Sequence, residues 1–324
     1  MCGMSTQPST ETVTGVRIVT IDARHDGQRL DNFLMRELKG VPRGHIYRLL
    51  RTGQVRVNRG RCDASRKLCV GDEVRLPPVR MSEPKEGPDI PPGLLALLRD
   101  CVLHEDADLL IINKPAGLAV HAGSGVDYGV IEAMREARPD LPELELLHRL
   151  DRDTSGCLML SKNRAALTGL QTLIRRGGLY KQYQALVRGV WRGGQREVDA
   201  PLRKNTLSGG ERMVRVDPRE GKPSRSIFAP EKVFAQASLM RVEIPTGRTH
   251  QIRVHAAHIG YPLAGDEKYG DADFNRRLRE KGLRRLFLHA RTLRFTHPVT
   301  GRTLEVSAPL PVELVNVIEA LTRP

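Results

Sequence analysis

The sequence predicts an α+β fold with a mostly antiparallel sheet, preceded by a small basic α+β module. Three observations carry this. Between Val16 and Pro77 there are 14 Lys/Arg against 7 Asp/Glu, so half of the chain's net charge of +14 sits in a short segment with apolar residues at helical spacing. From Arg80 to Gly93, Pro84, Pro88, Pro91 and Pro92 stand among charges and glycines, and prolines fix φ and remove donors. Beyond them, strand-like runs outnumber helical ones, which favours a mostly antiparallel sheet. A length of 324 residues holds two domains at roughly 100–200 residues each. The boundaries expected are a flexible tail over 1–15, the module over 16–80, a Pro-rich linker over 81–97 and the large domain over 98–324.

In chain order, Leu30, Phe33, Leu34 and Leu38 recur at helical spacing and Gly40 closes the run. Pro42 opens a second helix with Ile46, Leu49 and Leu50 as its stripe and Gly53 as its end. Arg43, Arg48 and Arg51 are left outside that stripe. Val55 and Val57 alternate with Arg56, Asn58-Arg59-Gly60 reads as a turn, and residues 71–77 read as a closing strand. In the large domain, strands are expected at 109–112, 146–151, 156–160, 180–190 and 238–244, with helices at 128–137 and 165–174. A hairpin is expected from 287–295 and 303–307 around Pro298-Val299-Thr300-Gly301. Thr249 is a suitable N-cap, and Gly260 a suitable stop, for a helix between them.

Composition narrows the function classes. With 40% hydrophobic residues the chain can bury a core. No window approaches about 18 uninterrupted apolar residues, so no membrane span is expected. Residues 1–14 are polar and lack the apolar stretch of a signal peptide. The five cysteines are odd in number and never spaced C-x-x-C, which argues against a disulfide framework and a cysteine zinc site. A cytoplasmic location follows as the expectation. A sequence pI near 10.0 suits a polyanionic partner, because neutralising phosphates releases condensed counterions.

Three clusters carry chemistry. In residues 148–156, an extended backbone would put Arg149, Asp151 and Asp153 on one face. An arginine beside a carboxylate keeps it ionised, as a nucleophile or proton acceptor requires. Spacing alone does not choose between the two aspartates, and a charged capping turn is an equal reading. The stretch from Gly247 to His258 holds His250, Arg253, His255 and His258. It has no H-E-x-x-H, so a metal site is not expected, and Arg253 reads as a guanidinium partner for a buried carboxylate or for phosphate. On a strand, Lys181 and Tyr183 share a face, although Tyr183 reads equally well as a core tyrosine. The glycine-bearing loop from Lys114 to Gly125 lacks the Walker and dinucleotide spacings.

The run Arg29-Leu30-Asp31-Asn32-Phe33-Leu34 through Gly53-Gln54-Val55-Arg56-Val57-Asn58 resembles the S4 RNA-binding domain. Asn113-Lys114-Pro115, His148-Arg149-Leu150-Asp151, Lys181-Gln182-Tyr183 and Gly247-Arg248-Thr249-His250-Gln251-Ile252-Arg253 follow in order. Together they resemble the RluA-type RNA pseudouridine synthases, strengthened by Gly265-Asp266-Glu267-Lys268-Tyr269-Gly270 and Arg285-Leu286-Phe287-Leu288-His289-Ala290. The resemblance implies isomerisation of uridines in large-subunit (23S) ribosomal RNA, free or in a partly assembled subunit, by a monomer needing no cofactor and no metal. It implies Asp151 as the catalytic carboxylate, Tyr183 stacked on a flipped uracil and Arg253 paired with Asp151. Arg149, Lys114, His148 and Ile252 are implied on the substrate side, and Arg43, Arg48, Arg51 and Arg56 on the RNA face of the module. Two alternatives stay open: another S4-containing member with different rRNA sites, or a non-enzymatic S4-type ribosome-associated protein.

Overall fold

The computed structural model describes residues 15–38, 40–79, 89–123, 126–206 and 212–322. They divide into two compact units between Asp89 and Ile90. The expected tail over residues 1–14 lies outside the described residues, as does most of the expected linker.

In the first unit, β1 (Arg17–Thr20) leads to α1 (Leu30–Glu37) and α2 (Arg43–Arg51), then β2 (Arg56–Val57) and β3 (Glu73–Leu76). The strands form an antiparallel sheet in the order β1-β3-β2. Leu30, Phe33 and Leu34 from α1 meet Ile46, Leu49 and Leu50 from α2 over Val57 and Val74, all buried. Burying each such side chain contributes about 1.5–3 kcal/mol. Asn58 and Arg59 make the expected turn with positive φ of 50° and 68°. That conformation is open to Asn and costly for Arg. Here Asn58 Nδ2 donates to Asp72 and its Oδ1 accepts the Glu73 N–H, which holds the turn in place. Sequence reading did not find β1, whose Ile18 is exposed and whose alternation is weak.

The second unit opens with α3 (Pro92–Asp100). This corrects the expected linker: Pro91 caps the helix and Pro92 occupies its first turn, where a missing N–H costs nothing. Ile90 and Leu98 are buried in this unit's core. There follow β4 (Val102–Glu105), β5 (Leu109–Lys114), α4 (Val130–Ala137), β6 (Glu145–Leu146), β7 (Ser155–Ser161), α5 (Arg164–Arg175), β8 (Tyr180–Arg188), β9 (Arg196–Asp199), β10 (Leu202–Thr206) and β11 (Arg212–Val216). The chain continues through β12 (Arg225–Val233), β13 (Ala237–Glu243), α6 (Gln251–His258), α7 (Ala272–Glu280), β14 (Leu288–Thr296), β15 (Thr303–Ser307) and α8 (Val312–Thr322).

Ten of these strands form one sheet in the order β4-β5-β7-β14-β8-β13-β12-β9, with β15 on β14 and β6 on β7, while β10 and β11 form a separate ribbon. Every pairing in the large sheet is antiparallel except a short parallel contact of β7 with β14, Ser155↔His289 and Gly156↔Ala290. At this contact Gly156 has φ +108°, and a Cβ there would lie 2.2 Å from Ala290 O, so no side chain fits. All seven residues of β7 are buried, the pattern of a strand covered on both faces. Among the described residues, no helix is long and apolar enough to cross a membrane.

Candidate functional site

Two adjoining cavities, of about 510 and 280 Å³, meet where Arg149, Leu150, Asp151, Thr249, His250 and Arg253 line both. Asp151 does not sit on a strand as expected. β6 stops at Leu146, and the chain then turns, with the Thr154 N–H donating to Asp151 O (3.1 Å) and the Gly117 N–H to Arg152 O (2.9 Å). The turn leaves the Asp151 carboxylate half-buried between the cavities, with Asp153 exposed at its far end.

Arg253 stands in the first turn of α6, its Nη1 3.9 Å from Asp151 Oδ2. Its stronger partner is Asp266, to which Nε and Nη2 donate at 2.7 and 2.8 Å. The expected Arg253–Asp151 pair is therefore the looser arm of a buried triad. Asp266 also accepts the backbone N–H groups of Lys268 and Tyr269 at 2.9 and 3.0 Å. Burial opposes the charge on Arg253, but the Asp266 carboxylate outweighs it and raises the guanidinium's pKa. Burial likewise pushes Asp266 up, and Arg253 with the two N–H groups holds it below the usual carboxylate range.

The N-cap of α6 is His250, not Thr249, and it lies in the left-handed region at φ 53°, ψ 19° without a side-chain cap bond. Gln251 fixes the loop that leads into the helix, its Oε1 accepting the Arg248 N–H (3.0 Å) and the Thr246 hydroxyl (2.8 Å). Strain of about 1–3 kcal/mol at such a residue persists where its surroundings fix it. Tyr269 does so: its hydroxyl accepts the Val214 N–H (2.9 Å) and meets His250 Nδ1 at 2.8 Å. The Arg253 guanidinium lies 5.1 Å from the centre of the same ring. Sequence reading assigned no role to Asp266, Tyr269 or His250. The stretch from Gly265 to Gly270 carries part of the resemblance, but nothing in its spacing points to Arg253.

Tyr183, on β8 between Val242 of β13 and Ala290 of β14, closes one wall of the larger cavity, with Lys181 on its own face and Ile252 opposite. Burial, then the charge of Asp151, pushes its phenol up, so the ring stays neutral. Burial lowers the Lys181 amine. His148 lines the same cavity, its Nε2 accepting the Met159 N–H at 3.1 Å, and burial pushes it down to about 4. Arg149 is exposed at the rim. Lys114 was expected on the substrate side and lies elsewhere. Fully buried, its Nζ donates to the carbonyls of Pro115, Leu118 and Arg152 at 2.7, 2.8 and 3.0 Å. It ties the loop after β5 to the Asp151 turn.

In the first unit, Arg43, Arg48, Arg51 and Arg56 are all exposed. Tyr47, on the same helix, donates to the buried Asp31 (3.0 Å), which also holds Arg29 through two bonds. The histidines of residues 250–258 do not converge. His255 is buried between Ser226 Oγ and Ala200 O (2.9 Å each), and His258 is exposed. Among the described residues, Asp106, Asp108 and His297 bring possible metal ligands within 4.8 Å of one another. His297 Nδ1 accepts the N–H groups of Val299 and Thr300, which puts the ring proton on Nε2, facing the carboxylates. That tautomer offers a metal no lone pair.

A half-buried carboxylate at the junction of two cavities, a guanidinium triad beside it and an aromatic wall on a mostly antiparallel sheet, in a chain that also carries a separate basic two-helix unit, are features of an RNA-modifying enzyme. Residues 108–258 match the RNA pseudouridylate synthases and residues 28–74 the S4 domain; the chain belongs to the RluA-type RNA pseudouridine synthases, and it is an enzyme of that class. It is 51% identical over 310 residues to ribosomal large subunit pseudouridine synthase C of Escherichia coli (strain K12), covering 94% of this chain and 97% of that one. The same enzyme of Yersinia pestis is 50% identical over 310 residues, covering 95% and 96%. The solved structure of human RNA pseudouridylate synthase domain containing 4 aligns with TM-score 0.59 and 25% identity, over 71% of this chain and 96% of that one.

Proposed function

We propose that this synthase isomerises uridines of large-subunit ribosomal RNA, with Asp151 as its single catalytic carboxylate. The substrate reading rests on the two named relatives, whose lengths this chain spans almost completely. The observation that carries the assignment of Asp151 is its place at the junction of both cavities, 3.9 Å from Arg253. A nucleotide entering there has its base beside Tyr183 and its ribose at Asp151.

A stacked base is out of reach, so the target flips, costing roughly a few kcal/mol. The exposed Arg149 at the rim fills the position the base leaves. Asp151 attacks the ribose or takes a proton at its 2′ position. The N1–C1′ bond breaks, the base turns over, C5 bonds to C1′, and the C5 proton departs while N1 gains one. Nothing is oxidised. The exposed arginines of the first unit supply phosphate contacts. A monomer acting in the cytoplasm, on RNA free or in a partly assembled subunit, completes this reading.

The test is tritium release from C5-labelled uridine RNA. Asp151→Asn, nearly isosteric, should release none while keeping its melting temperature and RNA affinity. Asp153→Asn should retain substantial turnover. A dead Asp153 variant beside an active Asp151 variant would overturn the assignment.

A further inference from the structure

We infer that the enzyme holds a second base, a guanine next to the target uridine, in a cavity that adjoins the first. The inference rests on the reading above that the target uridine occupies the Tyr183 cavity. A space of about 440 Å³ shares Lys181, Ile244 and Pro245 with that cavity and continues away from it past Tyr180, Glu243 and Arg294.

The register of the sheet explains why these side chains gather. Tyr180 of β8 lies opposite Arg294 of β14, and Gln182 opposite Glu243 of β13. Residues two apart share a face, so Tyr180, Glu243 and Arg294 lie together, while Lys181 and Tyr183 belong to the other face. The Arg294 guanidinium sits 4.6 Å from the centre of the Tyr180 ring. Arg294, which also lies 3.6 Å from Glu305, and Tyr180 are of the two side-chain types on which single-stranded bases stack.

Glu243 makes the site selective. A groove that only follows phosphates has no use for a carboxylate, which repels them. Arg241 Nε stands 3.6 Å from Glu243 Oε1, beyond a good hydrogen bond, and is buried without a partner. The Tyr180 phenol, pushed up by burial and by Glu243, also draws on this carboxylate, which with four acceptor sites keeps capacity for a base edge. Guanine presents two adjacent donors, N1–H and the N2 amino group, which match two carboxylate oxygens. Adenine sets an acceptor beside its amino group, uracil flanks one N–H with two carbonyls, and cytosine has one amino donor. Lys181, on the border of both cavities and in no ion pair among the described residues, is placed for the phosphate joining the two nucleotides.

The experiment uses the full chain and an unmodified large-subunit RNA transcript, with pseudouridines mapped after reaction. Each modified uridine should carry guanine on one constant side. Changing that guanine to adenine should lower kcat/KM by about tenfold, and inosine, which keeps N1–H and loses the amino group, should fall between. Glu243→Gln should shrink the guanine-over-adenine ratio toward one. Tyr180→Ala should slow both RNAs and leave the ratio in place. Equal rates on guanine and adenine RNAs, or a preference untouched by Glu243→Gln, would overturn the second base site alone. If the wild-type protein makes no pseudouridine in the transcript, the substrate reading fails and this site falls with it.

Discussion

Replacing Asp266 with asparagine separates what holds Arg253 from what Arg253 does. Asp266 receives four N–H bonds: Arg253 Nε on Oδ2 at 2.7 Å, and Arg253 Nη2, Lys268 N and Tyr269 N on Oδ1 at 2.8, 2.9 and 3.0 Å. Asparagine keeps Oδ1 for the last three and sets an amino group against Arg253 Nε, donor against donor. The pair is buried, with 10% of the Arg253 side chain and none of the Asp266 side chain exposed. Breaking a buried pair costs about 3–5 kcal/mol. Asp151, at 3.9 Å, recovers part of this by drawing the freed guanidinium closer, so a net loss of about 3 kcal/mol is expected. In a unit of this size each kcal/mol moves the melting temperature by about 2–4 °C, or about 6–12 °C in all. Calorimetry on the full chain measures the first effect and tritium release the second, with a fall of about 10²–10³ expected for an electrostatic group pulled out of place. The double variant Arg253→Met, Asp266→Asn supplies the control, because the asparagine Oδ1 still accepts the Lys268 and Tyr269 N–H groups, no buried charge is left unpaired, and no guanidinium remains beside Asp151. A melting temperature for Asp266→Asn within about 2 °C of wild type would refute the buried-pair reasoning. A double variant with full turnover would make Arg253 purely structural.

Lys114→Met should strand three carbonyls and destabilise the second unit by about 3 kcal/mol or more, read by urea unfolding; intact stability with weakened RNA affinity would return Lys114 to the substrate side. His289 is fully buried, and burial pushes it from 6.5 down to about 4. The unfolded chain therefore gains a proton that the folded chain refuses as pH falls through this window. Between pH 6.5 and 4 His289 should lower stability by up to about 1.4 kcal/mol per pH unit, and His148, also held near 4, should add a like share. His289→Gln should flatten that slope, and an unchanged slope would clear His289 of the effect. Replacing Arg43, Arg48, Arg51 and Arg56 together by glutamine should flatten the plot of log affinity against log salt by about 3 if each meets a phosphate; equilibrium binding at four salt concentrations measures it, and an unmoved slope would take the RNA off this face.

Local patterns were legible and partners were not. The helices of the first unit, the β14–β15 hairpin and the β8 strand could be read from spacing, because each buries a periodic stripe on its own neighbours. Strands β9 to β12 escaped: β9 (Arg196–Asp199) is a charged edge strand, β10 and β11 form a separate ribbon, and β12, although paired on both sides, has an exposed, charged end at 231–233. The start of α6 was misplaced by one residue because Thr249 has the chemistry of a cap, whereas His250 is held in the left-handed region by Tyr269, nineteen positions on. Lys114 was placed on the substrate side by the resemblance alone, and its three carbonyl acceptors, one of them 38 positions away, are set by tertiary structure. Within the site, residue types could be named in advance, but Arg253's choice of Asp266 depends on a loop that only tertiary structure brings near.

The place of β14 in the sheet has a consequence for the enzyme's birth. β7 and β8 are neighbours in sequence, yet β14 lies between them in the sheet. Until residues 288–296 have left the ribosome, the strand that follows Asp151 and the strand that carries Tyr183 each present an open edge, and the wall joining them does not exist. Such late, distant pairing is slow, and open edges invite other chains. Activity therefore switches on only near the end of synthesis. On the role proposed for the first unit, a nascent chain in which that unit has folded would hold RNA well before it can modify any.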